Sequence, residues 1–250
     1  MQAYWTLTRR ELAGFFVSLT GYVIIAGAVF LMGASFVLML NNLQAEPTPE
    51  PVTQMFFATP FFWLILLLAA PVITMRLFAL EKYSGTFETL MTTPVSDLQV
   101  VLAKFTAAMV FYLLLWLPLL GYILILRHYI KDPNALDWGL IGGTFLGLTL
   151  LGGLFMSLGS FASALTRNQI IAAMISFTLG FTFFLLSFLP RNLPKTAGWP
   201  ATVFSFFALA DHMNDFASGL VDMRYIVFYV SLTIMFLFLT LRVVESRRWK

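Results

Sequence analysis

FTAAMVFYLLLWLPLLGYILIL, residues 105–126, is the stretch that decides the class of fold. It contains no charged residue and no histidine. Its length matches the roughly 17–25 predominantly apolar residues that a membrane-spanning helix requires. The stretch is therefore predicted to cross a membrane as a helix.

Five further stretches have the same character. They are residues 19–40, 56–75, 139–165, 170–189 and 225–241. The whole chain of 250 residues is 60% hydrophobic and only 11% charged, against about 25% charged in ordinary soluble proteins. The predicted fold class is all-α: a polytopic integral membrane protein with six transmembrane helices that form a single domain over residues 1–250.

Lysine and arginine are unevenly distributed between the two sides that six spans define. One side holds Arg9, Arg10, Arg76, Lys82, Lys104, Arg167, Arg242, Arg247, Arg248 and Lys250. The other side holds Arg127, Lys131, Arg191, Lys195 and Arg224. Because basic residues are enriched in cytoplasmic connections, we expect the first side, with both termini, to face the cytoplasm.

The segment before the first span, residues 1–18, mixes aromatic anchors with charge. Tyr4 and Trp5 precede the group Arg9, Arg10 and Glu11. This pattern favours a helix that lies in the membrane interface. The alternative is that the segment extends the first span.

The sequence lacks the residues that several functional classes require. None of the six predicted spans contains Asp, Glu, Lys, Arg or His, which disfavours an ion-coupled transporter because proton and ion relays use such groups at depth. The sequence has no cysteine and no zinc-protease or nucleophile-elbow motif. Asp211, His212 and Asp215 are interpreted as a solvated polar turn rather than a metal site, and the net charge of +3 as topology rather than nucleic-acid binding.

The fourth predicted span carries glycines at four-residue spacing. They are Gly139, Gly143 and Gly147. Small residues four apart let two helices approach closely, either within the subunit, which we favour, or at a dimer seam. The aromatic residues of the fifth span, such as Phe177 and Phe181, are interpreted as packing residues rather than as a substrate path.

The connection between the second and third spans, residues 76–104, is more structured than a plain loop. Glu81, Gly85 and Glu88 fall on one face of an amphipathic segment. Gly85 marks either a break between two short helices or a place where another group packs closely. After a turn, Ser96 and Gln99 have the spacing of a capping box, which predicts a helix that runs from there into the third span.

This connection also resembles a known motif. Residues 81–90, EKYSGTFETL, followed by TPV at 93–95, resemble the loop between spans two and three in permeases of type-2 ATP-binding-cassette (ABC) exporters. The resemblance is closest to the small permeases of gliding-motility and nitrous-oxide-reductase maturation systems. Residues 204–222, FSFFALADHMNDFASGLVD, resemble the same family's last external connection, here residues 190–224, which carries short re-entrant helices.

The resemblance implies that residues 76–104 form a cytoplasmic coupling hairpin that docks on a separate ATPase subunit. Glu81 and Glu88 would contact that subunit or the permease's own interfacial helix, and the turn at residues 166–169 would be a second contact. The implied partner-binding residues are Glu81, Lys82, Ser84, Gly85, Thr86, Glu88, Thr93, Pro94, Val95, Arg167 and Asn168.

The resemblance also implies partners. Two ABC ATPase subunits would bind ATP and magnesium, and a second permease, identical or different, would complete the transporter in the lipid membrane. We expect no catalytic site in this chain, because the sequence contains no catalytic motif. We also expect no cofactor here, since without a phosphate-binding loop ATP must bind to another subunit. The alternatives are a transporter or channel that runs without ATP, and a structural membrane anchor of a motility or secretion assembly.

Overall fold

The computed structural model describes residues 2–45, 52–86, 95–129, 138–192 and 204–246, and every regular element in those ranges is a helix. The all-α prediction is therefore confirmed. The helices are α1 Gln2–Val17, α2 Leu19–Ala45, α3 Val52–Ala58, α4 Pro60–Thr74, α5 Ala79–Ser84, α6 Asp97–Leu115, α7 Leu117–Tyr129, α8 Trp138–Leu165, α9 Gln169–Leu186, α10 Leu189–Asn192, α11 Leu209–Ala217 and α12 Met223–Ser246.

Six helical segments are long and apolar enough to cross a membrane. They are Leu19–Asn41, Pro60–Ser84, Asp97–His128, Trp138–Leu165, Gln169–Leu186 and Met223–Ser246. The predicted number of six spans is confirmed within the part of the chain that the structure describes. Short helices α10 and α11 fall in the described parts of the connection before the last span, and their re-entrant placement in a membrane stays a prediction.

The second and third spans depart from the predicted bounds, and proline explains both departures. The second span was predicted from residue 56, but Phe56 lies in the separate helix α3. Pro60 opens α4, where its missing N–H costs nothing. The third span is interrupted at Trp116, because Pro118 lacks an amide donor and its ring clashes with the preceding turn.

Helix α1 is a separate element rather than an extension of the first span. The chain bends at Ser18, whose hydroxyl accepts a hydrogen bond from the Thr20 amide at 3.3 Å. Arg76 holds the bend in place, because its Nη1 donates to the Ser18 Oγ at 2.6 Å. Helix α1 then packs along α6, and its position in the membrane interface stays a prediction.

Helix α8 is the centre of the fold and contacts α4, α6, α9, α11 and α12. Its glycines allow these helices to approach closely. Gly143 and Gly147, two of the three glycines at four-residue spacing, lie against Phe216 of α11, and Gly152 lies against the Tyr112 ring of α6. Close packing through small residues on this helix therefore occurs within the subunit, as we favoured from the spacing, and it stabilises the helix pairs by direct van der Waals contact.

Candidate functional site

Residues 75–78 form a turn between α4 and α5, and the C-terminal end of α8 packs against this turn. The Ser163 Oγ accepts hydrogen bonds from the amides of Phe78 at 3.0 Å and Ala79 at 3.1 Å. The same hydroxyl donates to the Met75 carbonyl at 3.0 Å. One buried serine thus satisfies two of the four backbone amides that a helix start leaves without partners, and it fixes the first turn of α5 on α8.

A second contact fixes the last turn of α5 on the same helix end. The Lys82 Nζ donates to the Ala164 carbonyl, and only 8% of Lys82 is exposed. A cation near the last carbonyls of a helix is favourable because those carbonyls carry partial negative charge. Gly85 then ends α5 with φ of 73°, a left-handed conformation that glycine adopts without steric cost.

A charge cluster joins α5 to two further helices. The Lys104 Nζ of α6 lies 3.0 Å from the Glu11 Oε1 of α1 and 3.0 Å from the Glu81 Oε1 of α5. Arg10 Nη2 lies 2.8 Å from the same Glu11 oxygen and 3.1 Å from the same Glu81 oxygen. We call Arg10, Glu11, Glu81 and Lys104 the ion cluster. It places two positive charges, those of Arg10 and Lys104, between two negative charges that lie 70 residues apart in sequence.

Burial differs strongly within the ion cluster. The side chain of Lys104 is 1% exposed, those of Glu11 and Glu81 are 16% and 15% exposed, and that of Arg10 is 57% exposed. The Lys104 contacts are ion pairs without aligned hydrogen bonds among the described residues. The hydrogen bond with Glu11 raises the pKa of the Arg10 guanidinium above its ordinary value. Since a buried charge is tolerated only when it is paired, Lys104 depends on both glutamates.

A family model for ABC-2 family transporter proteins matches residues 10–243. The chain belongs to the ABC-2 family. No curated protein matches the chain. An ABC-2 membrane protein is the permease component of an ABC transporter, so this chain is an integral membrane transport protein.

The ABC-2 permease brings several of the predicted partner-binding residues to one place. Glu81 and Lys82 lie in α5, Ser84 to Thr86 form its exposed end, and Arg167 and Asn168 form the turn between α8 and α9. The contact between Lys82 and Ala164 brings α5 next to that turn. Val95 is half-buried against the core at the start of α6. Three predicted residues lie outside the described ranges: Glu88, Thr93 and Pro94.

Of the two contacts that the resemblance implies for Glu81, the described residues show the one with the permease's own helix α1, through Arg10. The Glu81 side chain is largely buried, and the structure pairs it with α1 and α6 of the permease itself. The sequence shows Lys104 in a run of apolar residues that continues into the third span, and a lone lysine there is a signal for a buried partner. Glu11 and Glu81 could not be assigned to it without the packing of α1 against α6.

Asn168 has a structural role in the turn. Its Oδ1 accepts hydrogen bonds from the amides of Ile170 at 2.8 Å and Ile171 at 3.5 Å, so it caps α9. Arg167 is exposed, and it forms no ion pair within the described ranges. The capping box that the sequence predicted at Ser96 and Gln99 is confirmed, with both hydrogen bonds at 3.3 Å.

The interpretation of Asp211, His212 and Asp215 as a solvated polar turn is wrong. These residues belong to helix α11, and His212 is only 2% exposed. Its ring stacks on Tyr225 with the centroids 3.9 Å apart, and Tyr225 donates its hydroxyl hydrogen to Asp215 at 2.8 Å. Burial lowers the pKa of His212 to about 4, and nearby Asp215 opposes this shift only in part. His212 is thus a neutral packing residue at neutral pH.

Proposed function

We propose that this ABC-2 permease is the membrane subunit of an ATP-driven exporter, with ATP bound by a separate ATPase subunit. Two permeases, identical or different, and two ATPase subunits form the working unit. The type that fits best is that of the small gliding-motility and nitrous-oxide-reductase maturation permeases, because the motif at residues 81–95 resembles theirs. The chain lies in the prokaryotic inner membrane, with both termini and α5 in the cytoplasm.

One observation carries this proposal: α5 is a short helix that is held by three different parts of the membrane domain while its end is exposed. Ser163 and Lys82 attach it to α8, and the ion cluster attaches it to α1 and α6. A connecting loop needs no such attachments. A partner that displaces the exposed end of α5 therefore transmits the displacement to α1, α6 and α8 together.

Two features of the sequence favour a transporter that takes its energy from a partner outside the membrane. The 250 residues contain no phosphate-binding loop, and the predicted spans contain no charged relay. Within this proposal, hydrolysis in the partner moves α5, the ion cluster carries the motion into the helices, and the substrate path between two permeases opens.

Purification of the tagged chain from its native host in mild detergent tests the proposal. We expect a subunit with a phosphate-binding loop to co-purify in equal amount, and ATP hydrolysis to reside in that subunit. A chain that elutes alone, or only with proteins that lack such a loop, contradicts the proposal and favours a channel or a membrane anchor.

A further inference from the structure

We propose that the start of α12 binds one anionic phospholipid, with the Arg224 guanidinium on the phosphate and an acyl chain in the apolar groove beside it. The volume of this groove is about 420 Å³, within the range of about 300–1,000 Å³ that small-ligand sites occupy. The site lies away from α5 and does not depend on an ATPase partner. The groove is lined by Phe206, Met223, Arg224, Val227 and Phe228.

One wall of the groove is fixed by aromatic packing inside the protein. The ring of Phe207, in the turn before α11, packs edge-on against the Phe228 ring with the centroids 5.5 Å apart. The Phe228 ring also packs against that of His212, with the centroids 5.9 Å apart. On the open side, Met223 and Val227 are 71% and 61% exposed. The groove is therefore preformed and accessible from the lipid, as a ligand site requires.

Arg224 is the cation of the groove, and its side chain forms no ion pair within the described ranges. Asp222 accepts a hydrogen bond from the backbone amide of Arg224 at 2.8 Å, but not from its guanidinium. At the other end of α12, the Arg242 Nη1 lies 2.9 Å from the Glu245 Oε2, and the guanidinium lies over the Phe238 ring. Because an arginine beside apolar surface favours a bidentate anion such as phosphate, Arg224 fits an anion that a ligand brings.

The depth of Arg224 along α12 matches the level of lipid phosphates. At about 1.5 Å of rise per residue, Arg224 and Arg242 lie about 27 Å apart along the helix, close to the hydrocarbon thickness of about 30 Å. A free phosphate ion would use only the cation, whereas an acyl chain also covers the groove and the apolar face that continues it. The exposed apolar residues of this face are Met223, Val227, Val230, Ile234 and Phe238.

Fluorescence quenching by brominated phospholipids tests the inference. The chain has no cysteine, so Val230→Cys gives a single thiol for a bimane label on the exposed face of α12, one turn beyond the groove. The labelled chain is placed in phosphatidylcholine vesicles that contain a small fraction of phosphatidylglycerol with brominated acyl chains. We expect the apparent affinity for this lipid to exceed that for equally brominated phosphatidylcholine about fivefold, the effect of one arginine on an anionic lipid.

Two arginine variants of the labelled chain show whether the preference comes from the groove. Arg224→Gln should abolish it, so that both brominated lipids quench equally. The matched control is Arg167→Gln, which removes an exposed arginine from the turn between α8 and α9 and should leave the preference unchanged. Both substitutions remove one positive charge, so a general effect of net charge would lower the preference equally in the two variants.

A preference for phosphatidylglycerol that disappears in Arg224→Gln and persists in Arg167→Gln supports the site. Equal quenching by the two lipids in the labelled chain overturns it, and so does a preference that survives Arg224→Gln. Because only bromine on an acyl chain quenches the label, a free phosphate ion at Arg224 would give no preference and would also count against the site. None of these outcomes bears on the ATPase partner, which is tested by purification.

Discussion

Helices α5 and α11 are both short, and both pack against α8, but at opposite ends of it and by different means. Helix α5 meets α8 at Ser163 and Ala164 and is held by charge, since the ion cluster ties it to α1 and α6. Helix α11 meets α8 at Gly143 and Gly147 and is held by close neutral packing.

The neutral contacts of α11 come from three directions. Thr53 of α3 donates to the Ala217 carbonyl at 2.7 Å. The Ala210 amide donates to Ser187 at 2.9 Å. A Cβ atom added to Gly143 would lie 2.6 Å from the Phe216 carbonyl oxygen, so the helix backbones touch.

The two kinds of attachment, at the two ends of α8, differ in the substitutions that they tolerate. Ion pairs tolerate changes in volume but not the loss of one partner when the other is buried. Close packing tolerates the loss of a charge but not added volume. The four predictions below use substitutions that separate these two kinds of attachment, and they run from the largest expected effect to the smallest.

Lys104→Met should be the most destabilising change, by about 3–5 kcal/mol, because it leaves Glu11 and Glu81 as two nearly buried negative charges with only the exposed Arg10 nearby. Thermal unfolding of the purified chain in detergent measures the effect. Adding Glu11→Gln and Glu81→Gln removes both uncompensated charges and should restore most of the stability. A triple variant as unstable as Lys104→Met shows that the ion cluster is not the cause.

Lowering the pH should destabilise the protein through protonation of His212 in α11. The pKa of this residue is about 4 in the folded protein and about 6.5 in an unfolded chain. Between these two pKa values the unfolded chain therefore binds a proton at His212 that the folded protein does not bind. The free energy of unfolding falls as the pH is lowered from about 6.5 to 4. The loss attributed to His212 reaches about 3 kcal/mol and then levels off.

The matched variant for this pH dependence is His212→Phe, which keeps an aromatic ring against Tyr225 and cannot be protonated. Thermal unfolding at a series of pH values should show a shallower decline for this variant between pH 6.5 and 4. Parallel declines for both proteins mean that His212 is not the acid-sensitive group.

Substitution by alanine should have different effects on stability at two neighbouring glycines of α8. Gly143→Ala forces the Phe216 backbone away and should cost about 1–3 kcal/mol. Gly142 has nothing within 4 Å of an added Cβ, so Gly142→Ala should be neutral or stabilising by up to about 1 kcal/mol through helix propensity. Unfolding temperatures of the two variants measure the difference, and equal values refute the close contact between α8 and α11.

Arg10→Met should have the smallest effect, below about 1 kcal/mol, because the Arg10 side chain is 57% exposed and its ion pairs are screened by water. Raising the salt concentration should reduce even this difference, since mobile ions screen exposed pairs first. An Arg10→Met variant as unstable as Lys104→Met contradicts the assignment of Lys104 as the centre of the ion cluster.

Local features of the fold were predictable from the sequence. Hydropathy predicts the six spans, Ser96 and Gln99 predict the start of α6, and one of the two interpretations of Gly85 predicts the interruption after α5. Each of these rests on residues a few positions apart, where the chemistry of the backbone decides the structure.

The ion cluster and the burial of His212 were not predictable, because they depend on contacts between distant segments. Glu11, Glu81 and Lys104 meet only when α1 packs along α6 and α5 turns back onto α8. His212 is buried only because α11 lies against α12, where Tyr225 covers its ring. The spacing of Leu209, Met213 and Phe216 puts His212 on the apolar face of α11, but the sequence does not show which helix covers that face.

The central claim is that the ion cluster carries the motion of α5 into the membrane helices. The most direct test asks whether ATP binding to the partner changes the surroundings of α11, at the opposite end of α8, and whether this change requires the ion cluster. Asn214→Cys places a single thiol on α11, and its rate of maleimide modification is measured in the complex with the ATPase subunit, with and without ATP. We expect ATP to change this rate in the otherwise unaltered permease. We expect no change when Glu11→Gln, Glu81→Gln and Lys104→Met are combined, although the ATPase subunit stays bound. The same response to ATP in both proteins contradicts the account.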